Sequence, residues 1–163
     1  MLLVSACLVG INCKYNGGNN YVPEIADLVK QGKAVPLCPE QLGGLPTPRI
    51  PVEIKGGSAE DVLKGTAVVI RKDGTDVTSN FIKGAIEVLR FCKDNGIELA
   101  ILKSRSPSCG KGSIYDGTFS GRLIDGDGIA AYMLMDNGIH VITENDAVKY
   151  LAGMKENNFN CRI

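Results

Sequence analysis

Thr78-Ser79-Asn80-Phe81-Ile82-Lys83-Gly84-Ala85-Ile86-Glu87-Val88-Leu89-Arg90-Phe91-Cys92-Lys93-Asp94-Asn95-Gly96 and then Ile97-Glu98-Leu99-Ala100-Ile101-Leu102 hold the two periodicities that decide the fold. Ile82, Ala85, Ile86, Leu89 and Cys92 recur at three- and four-residue spacing, which predicts an amphipathic helix. Thr78 or Ser79 stands where a cap is needed, and Asn95-Gly96 where a helix ends. Ile97 to Leu102 is a short apolar strand that delivers Ser104 to Cys109 into a loop. The same unit recurs on either side. Upstream, Leu2-Leu3-Val4 opens a strand ending near Cys7, followed by a loop rich in glycine and asparagine. A helix starts at Pro23, with Ile25, Leu28 and Val29 on one face and Gly32 past its end. Ala34 to Leu37 is a second strand, arriving at Cys38. Thr66 to Arg71 reads as a strand before the Asp73-Gly74 turn. Downstream, Asp127 is read as the cap of a helix carrying Ile129, Tyr132, Met133 and Met135, which Asn137-Gly138 stops. Ile139 to Ile142 is the last strand, and Thr143 caps a last helix reaching about Gly153. From Pro36 to Pro51 the chain holds five of its seven prolines, which excludes regular helix and central strand there. Strand–helix alternation of this kind predicts one doubly wound α/β domain over residues 1–163, with a mostly parallel sheet and helices on both faces. Residues 155–163 are expected to form a flexible tail.

Composition narrows the function. The 163 residues are 44% apolar and 22% charged, as in a soluble globular domain. Eighteen basic residues against 18 acidic ones leave no net charge, which argues against bulk electrostatic binding of nucleic acid or anionic membrane. No apolar run reaches the roughly 18 residues that span a bilayer. Val4-Ser5-Ala6-Cys7 superficially resembles a lipoprotein cleavage site, but no basic residue or long apolar stretch precedes it. A cytoplasmic, reducing location is expected, and with it free thiols or metal-bound thiolates.

In an open parallel sheet, ligands bind beyond the carboxyl ends of the strands. Cys7, Cys38 and Cys109 each follow a strand, so the topology brings them to one edge although they lie 31 and then 71 residues apart in sequence. Cys92 belongs to the apolar face of its helix and reads as a core residue. Cys161 lies in a polar tail and receives no role, and Cys13 is a spare thiol, a fourth ligand or a redox partner. Structural zinc wants four ligands, usually with a close Cys pair, and no Cys-x-x-Cys exists. His140, the only histidine, sits within a strand. Three thiolates on a four-iron cluster leave one iron open, a Lewis acid with affinity for soft sulfur. A metal or cluster site and three unlinked thiols both remain compatible with the spacing.

The neighbours of the cysteines carry further chemistry. Glu40, two residues after Cys38, is either a general acid or base or a cap for amides in the proline loop. Ser104, Ser106 and Ser108 either bond cluster sulfurs and substrate or satisfy turn amides. Lys103 and Arg105 either offset thiolate charge or are solvated. The Gly110-Lys111-Gly112-Ser113 run fails as a phosphate loop because Arg105 stands where its first glycine is needed. Asp125-Gly126-Asp127-Gly128 fails as a calcium loop, with Ile129 and Ala130 at the next positions.

Ser5-Ala6-Cys7-Leu8-Val9-Gly10, Lys14-Tyr15-Asn16-Gly17, Cys38-Pro39-Glu40, Gly43-Gly44-Leu45-Pro46 with Pro48-Arg49, Asp76-Val77-Thr78, and Ser106-Pro107-Ser108-Cys109-Gly110 with Ile114-Tyr115-Asp116-Gly117-Thr118-Phe119 occur in that order. Their order resembles the thiouracil desulfurase family from Ser5 to about Glu144. The resemblance implies a Rossmann-like α/β domain and a 4Fe-4S cluster on three cysteines, matching Cys7, Cys38 and Cys109, with one open iron. Cys13 falls where many relatives have an apolar residue and is left out of the ligand set. The implied reaction is hydrolytic, not redox: the open iron takes the thiocarbonyl sulfur, and a glutamate and a serine, matching Glu40 and Ser106, move protons. The implied partner is a small thiolated substrate such as a nucleobase. The pocket wall is expected from Tyr15 to Tyr21, the proline loop, and Ser113 to Arg122. Two readings compete with this one. One is a sulfide or cluster carrier without hydrolytic activity; the other is a metal-free thiol redox protein using Cys7 and Cys13.

Overall fold

The computed structural model describes the backbone of residues 1–159 and the side chains of residues 1–151. In chain order its elements are β1 (Leu2–Ser5), α1 (Pro23–Lys30), β2 (Ala34–Leu37), α2 (Pro39–Leu42), β3 (Val52–Lys55), α3 (Ala59–Leu63) and β4 (Val68–Arg71). They continue with α4 (Thr78–Asp94), β5 (Leu99–Leu102), β6 (Ser113–Tyr115), β7 (Leu123–Asp125), α5 (Ile129–Asp136), β8 (His140–Thr143) and α6 (Glu144–Phe159). A single 3₁₀ turn, Ala6–Val9, follows β1.

Four strands form a parallel sheet in the order β2-β1-β5-β8. Strand alternation sends side chains to opposite faces. Leu3, Ala100, Leu102 and Val141 pack with Val88 and Cys92 of α4 and Leu134 of α5. Val4 and Ile101 pack with Ile25 of α1 and Ala147 of α6. Helices therefore cover both faces, as the doubly wound reading requires, and Cys92 is core. Burial of each Leu, Ile or Val stabilises by about 1.5–3 kcal/mol before entropy is counted. The chain leaves β1 for β2 on one side and later returns to β5 on the other. The sheet's switch point therefore lies between β1 and β5, where an open α/β sheet has its ligand crevice.

The strand expected at 66–71 exists but stands outside this sheet. Val68–Arg71 pairs antiparallel with β3, a strand that the proline-rich approach concealed. This hairpin, with α3 and the first half of α4, builds a second core around Ile54, Val69, Phe81 and Ile114. A second hairpin, β6–β7, completes the protein beside it. The proline segment is also less irregular than expected. Pro36 pairs with Val4 on β2, which is tolerated because β2 is an edge strand. Pro39 occupies the first turn of α2, where its missing amide costs nothing.

Local expectations shift in four places. The buried face of α4 is Phe81, Gly84, Ala85, Val88 and Cys92, so Ile86 is exposed. Thr78 and Ser79 do not cap α4; Asp76 Oδ1 accepts the Thr78 amide, and Thr78 Oγ1 accepts the Val69 amide instead. Asp127 is not a cap either, because its Oδ1 accepts the Gly112 amide across the loop. Thr143 does cap α6, accepting the Asp146 amide at 3.3 Å, and the helix runs past Gly153 to Phe159. The tail expected at 155–163 lies beyond the described side chains, and residues 160–163, Cys161 included, lie outside the described residues.

Two glycines bring α2 against α4. A Cβ on Gly84 would run into the Pro39 carbonyl oxygen, and one on Gly43 into the Asn80 carbonyl oxygen. Both obstacles are backbone, which cannot swing aside. Alanine at a helix interior normally gains about 0.5–1 kcal/mol over glycine. Gly84→Ala reverses that sign: we expect a loss of about 1–3 kcal/mol from overpacking, read as a lower denaturant midpoint at unchanged m-value.

Candidate active site

The site forms from three chain segments that leave the parallel sheet at its carboxyl edge. Cys7 sits in the 3₁₀ turn that follows β1, buried, and its Sγ accepts the Asn20 side-chain amide at 3.7 Å. Cys38 immediately precedes α2. Cys109 is buried after the loop from β5, with the Ser108 hydroxyl 3.8 Å from its sulfur. All three line one cavity of about 570 Å³, together with Glu40 and Ser106. Lys14, Tyr15, Asn20, Pro51, Tyr115 and Phe119 also line it, so each wall segment expected from sequence contributes.

Cys13 is in the cavity as well. It is buried, and its thiol lies within hydrogen-bond reach of both Cys7 and Cys38. The Cys13 hydrogen bond, working against burial, brings the Cys7 thiol below its ordinary pKa. The same partner holds Cys38 at about 7. Cys13 itself is pushed upward by those two hydrogen bonds and by burial. Burial dominates at Cys109 and raises its pKa.

Glu40 and Arg49 are paired, with side chains only 13% and 7% exposed. Arg49 Nε donates to Glu40 Oε2 at 2.6 Å. Its Nη2 donates to the Cys13 carbonyl at 3.0 Å, and Nη1 to Thr47 Oγ1 at 3.2 Å. The Arg49 amide donates to the Tyr15 carbonyl at 2.7 Å. Burial raises the Glu40 pKa, while Arg49 and the Ser106 hydroxyl oppose that rise without cancelling it. Ser106 also serves the loop. Its Oγ accepts the amides of Ser108 and Cys109, both at 3.1 Å, which leaves its own proton for Glu40. The turn-amide role read for the serines and the link to a carboxylate thus coexist in one hydroxyl.

Lys103 is not a free surface charge. It pairs with Glu144, which also accepts the Ser104 amide and hydroxyl at 2.8 Å each. Burial opposes the Glu144 charge, but these donors outweigh it and hold the carboxyl below its ordinary range. His140 is exposed on β8, away from the cavity lining. Five Lys or Arg side chains and two carboxylates, Glu40 and Glu53, line the cavity. That cationic surplus suits an anionic, thiolate-held occupant. Among the described residues no three His, Cys, Asp or Glu side chains converge as one metal ion would need. A polynuclear cluster takes its thiolates on different irons, so its ligands ring a volume and not a point.

Sequence reasoning missed Glu53, Lys72 and the bridging role of Arg49. Arg49 was readable only as part of a motif, since nothing in a proline loop says which carbonyls will surround it.

Fold and site together define a doubly wound α/β enzyme with a cysteine-lined pocket at the sheet's switch point. The chain belongs to the 2-thiouracil desulfurase family, whose model matches residues 2–146. It is 50% identical over 146 residues to the uncharacterized protein YbbK of Bacillus subtilis (strain 168), covering 90% of this chain and 97% of that one. Its structure is similar to that of the [4Fe-4S]-dependent thiouracil desulfidase TudS, with a TM-score of 0.80 and 38% identity over 95% of this chain and 97% of that one. Among the described residues, no helix is long and apolar enough to cross a membrane.

Removing Arg49 should strand a buried carboxylate. Arg49→Met is expected to cost about 3 kcal/mol at pH above the Glu40 pKa, because an unpaired buried charge replaces a buried pair. Adding Glu40→Gln should recover much of that loss, a coupling read from a double-mutant cycle of denaturant unfolding. The sign with pH follows from protonation. Glu40 already binds its proton more readily in the folded protein than when unfolded. Loss of Arg49 strengthens that tendency, so the cost is full above the raised pKa and shrinks as pH falls through it.

Proposed function

We propose that this protein is an iron–sulfur desulfurase that converts a small thiocarbonyl compound, of the thiouracil type, to its oxo form and releases hydrosulfide. The observation that carries this reading is the meeting of Cys7, Cys38 and Cys109 with Glu40 and Ser106 in one cavity. The residues fit a 4Fe-4S cluster: four soft thiols line the volume, three of them the expected ligands, and cationic side chains outnumber carboxylates around it. Cys7, Cys38 and Cys109 would hold the cluster. When bound, it supplies an iron without a protein ligand, a soft Lewis acid toward thiocarbonyl sulfur.

The chain's own residues handle water and protons. Glu40 Oε atoms, held in place by Arg49, take a proton from water directed at the thiocarbonyl carbon. A carboxyl with a raised pKa is a stronger base than an exposed one, and Arg49 opposes the rise by favouring the ionised form. The Ser106 hydroxyl, bonded to Glu40, passes a proton toward the departing group. The balance is hydrolytic: water supplies the carbonyl oxygen, the C=S bond is lost, and hydrosulfide leaves with no net electron transfer. A cytoplasmic setting is consistent with reduced thiols at the site, and the substrate is a small molecule.

A second reading retains one observation. Cys13 touches Cys7 and Cys38, as a metal-free thiol redox protein would require.

Anaerobic reconstitution should give about four iron and four acid-labile sulfide per chain. Cys7→Ala, Cys38→Ala and Cys109→Ala should each lose them, while Cys92→Ala keeps them. No iron after reconstitution would move the assignment to the thiol reading. Many hydrosulfides per chain mark the enzyme; about one marks a sulfide carrier. Glu40→Gln should keep its iron and lose about 10²- to 10⁴-fold in kcat. Because Glu40 must be ionised to accept a proton, the wild-type rate should fall as pH drops through its raised pKa, and Glu40→Gln should lose that limb.

A further inference from the structure

Glu53 is a buried carboxylate that the proposed chemistry leaves unused. It lies on β3, is 8% exposed, and lines the cavity. Its Oε2 accepts the backbone amides of Gly117 and Phe119, both at 2.9 Å. Its Oε1 accepts no hydrogen bond from the described residues, and Glu53 has no ion-pair partner among them. Buried carboxylates are stable only when donors surround them. Here the protein supplies donors to one oxygen and leaves the other without one, on a residue that lines the cavity.

The turn that Glu53 gathers is shaped for the same purpose. Gly117 has φ 85°, and a Cβ there would press into the backbone of Ile54 and Lys55. Phe119 has φ 58°, a left-handed conformation that costs a bulky residue on the order of 1 kcal/mol or more. Glu53 holds that conformation by its bond to the Phe119 amide, and Phe119 lines the cavity. One carboxylate thus fixes an aromatic wall and offers an open acceptor beside it.

We infer that Glu53 is a specificity-determining residue: its Oε1 accepts an N–H of the substrate adjacent to the thiocarbonyl, with the Phe119 turn as the neighbouring wall. The inference rests on the desulfurase reading and names the substrate class within it, cyclic thioamides and thioureides that keep a free N–H. An alkyl group on that nitrogen removes the donor and leaves Oε1 desolvated without a partner, the situation in which hydrogen-bonding sites discriminate most strongly.

The test uses cluster-loaded protein with 2-thiouracil and its two derivatives methylated on a ring nitrogen beside the thiocarbonyl. Wild type should lose about tenfold or more in kcat/KM on at least one of the methylated probes. Glu53→Gln should raise KM for 2-thiouracil about tenfold, change kcat less than about threefold, keep its iron, and show little further penalty on that methylated probe. Phe119→Ala disturbs the turn but keeps the carboxylate, so it should retain the methyl penalty. An unchanged KM in Glu53→Gln, or a methyl penalty as large as wild type's, would overturn the inference while leaving the desulfurase reading intact. If Glu53→Gln loses its iron, the wild-type series decides alone: equal kcat/KM on all three probes overturns the inference. No hydrosulfide from wild type on any probe would sink the desulfurase reading and this inference with it.

Discussion

The buried Arg49–Glu40 pair is the interaction on which the site depends. One guanidinium reaches the Glu40 carboxylate, the Cys13 carbonyl and the Thr47 hydroxyl. It ties the loop after β1, the turn after β2 and the proline segment into one wall. A planar fork with five donors can do this from a single position, and a lysine could not. Arg49 also bears on the charge of its partner. Burial makes Glu40 a better base, and the adjacent cation works the other way by favouring its ionised form.

Below that pair lies a constraint of backbone contact. Gly84 and Gly43 let α2 approach α4 more closely than side chains would permit. Because Cys38 and Glu40 stand at the start of α2, this contact sets their position relative to a helix rooted in both cores. Ser106, whose hydroxyl meets Glu40, holds the Cys109 loop by accepting two of its amides. The cavity thus draws on packed elements, with Glu40 on α2 and Glu53 on β3, as well as on the loop that carries Ser106 and Cys109.

The charge pattern is as consistent as the geometry. The protein as a whole is neutral, yet cations outnumber carboxylates around the cavity. Lys103 is committed to Glu144 and so helps to anchor the start of α6 as well as lining the cavity. Glu53 stands apart, since its donors are backbone amides and no cation joins them among the described residues.

Much was legible from sequence. Apolar runs and helical spacing located all four strands of the parallel sheet, most plainly the central β1 and β5, because a strand buried on both faces is apolar throughout. The rule that ligands gather at carboxyl ends then placed Cys7, Cys38 and Cys109 together across more than a hundred residues. The hairpins were not legible as such: an isolated strand like Val68–Arg71 carries no mark of which sheet it joins. The one-residue shift of the α4 face arose because α4 packs on three partners at once: Phe81 meets the second core that the hairpins create, Gly84 meets α2, and Val88 meets the parallel sheet. Cys13, Arg49 and Glu53 gained their roles from neighbours 25 to 66 residues away in the chain, Cys38 for the first, Cys13 for the second and Phe119 for the third. Local patterning records what a residue buries, so the sequence alone determined the elements of the parallel sheet and the edge at which its thiols meet. Hydrogen bonds between loops depend on three-dimensional approach, so only the tertiary structure decided which side chains face one another in the cavity.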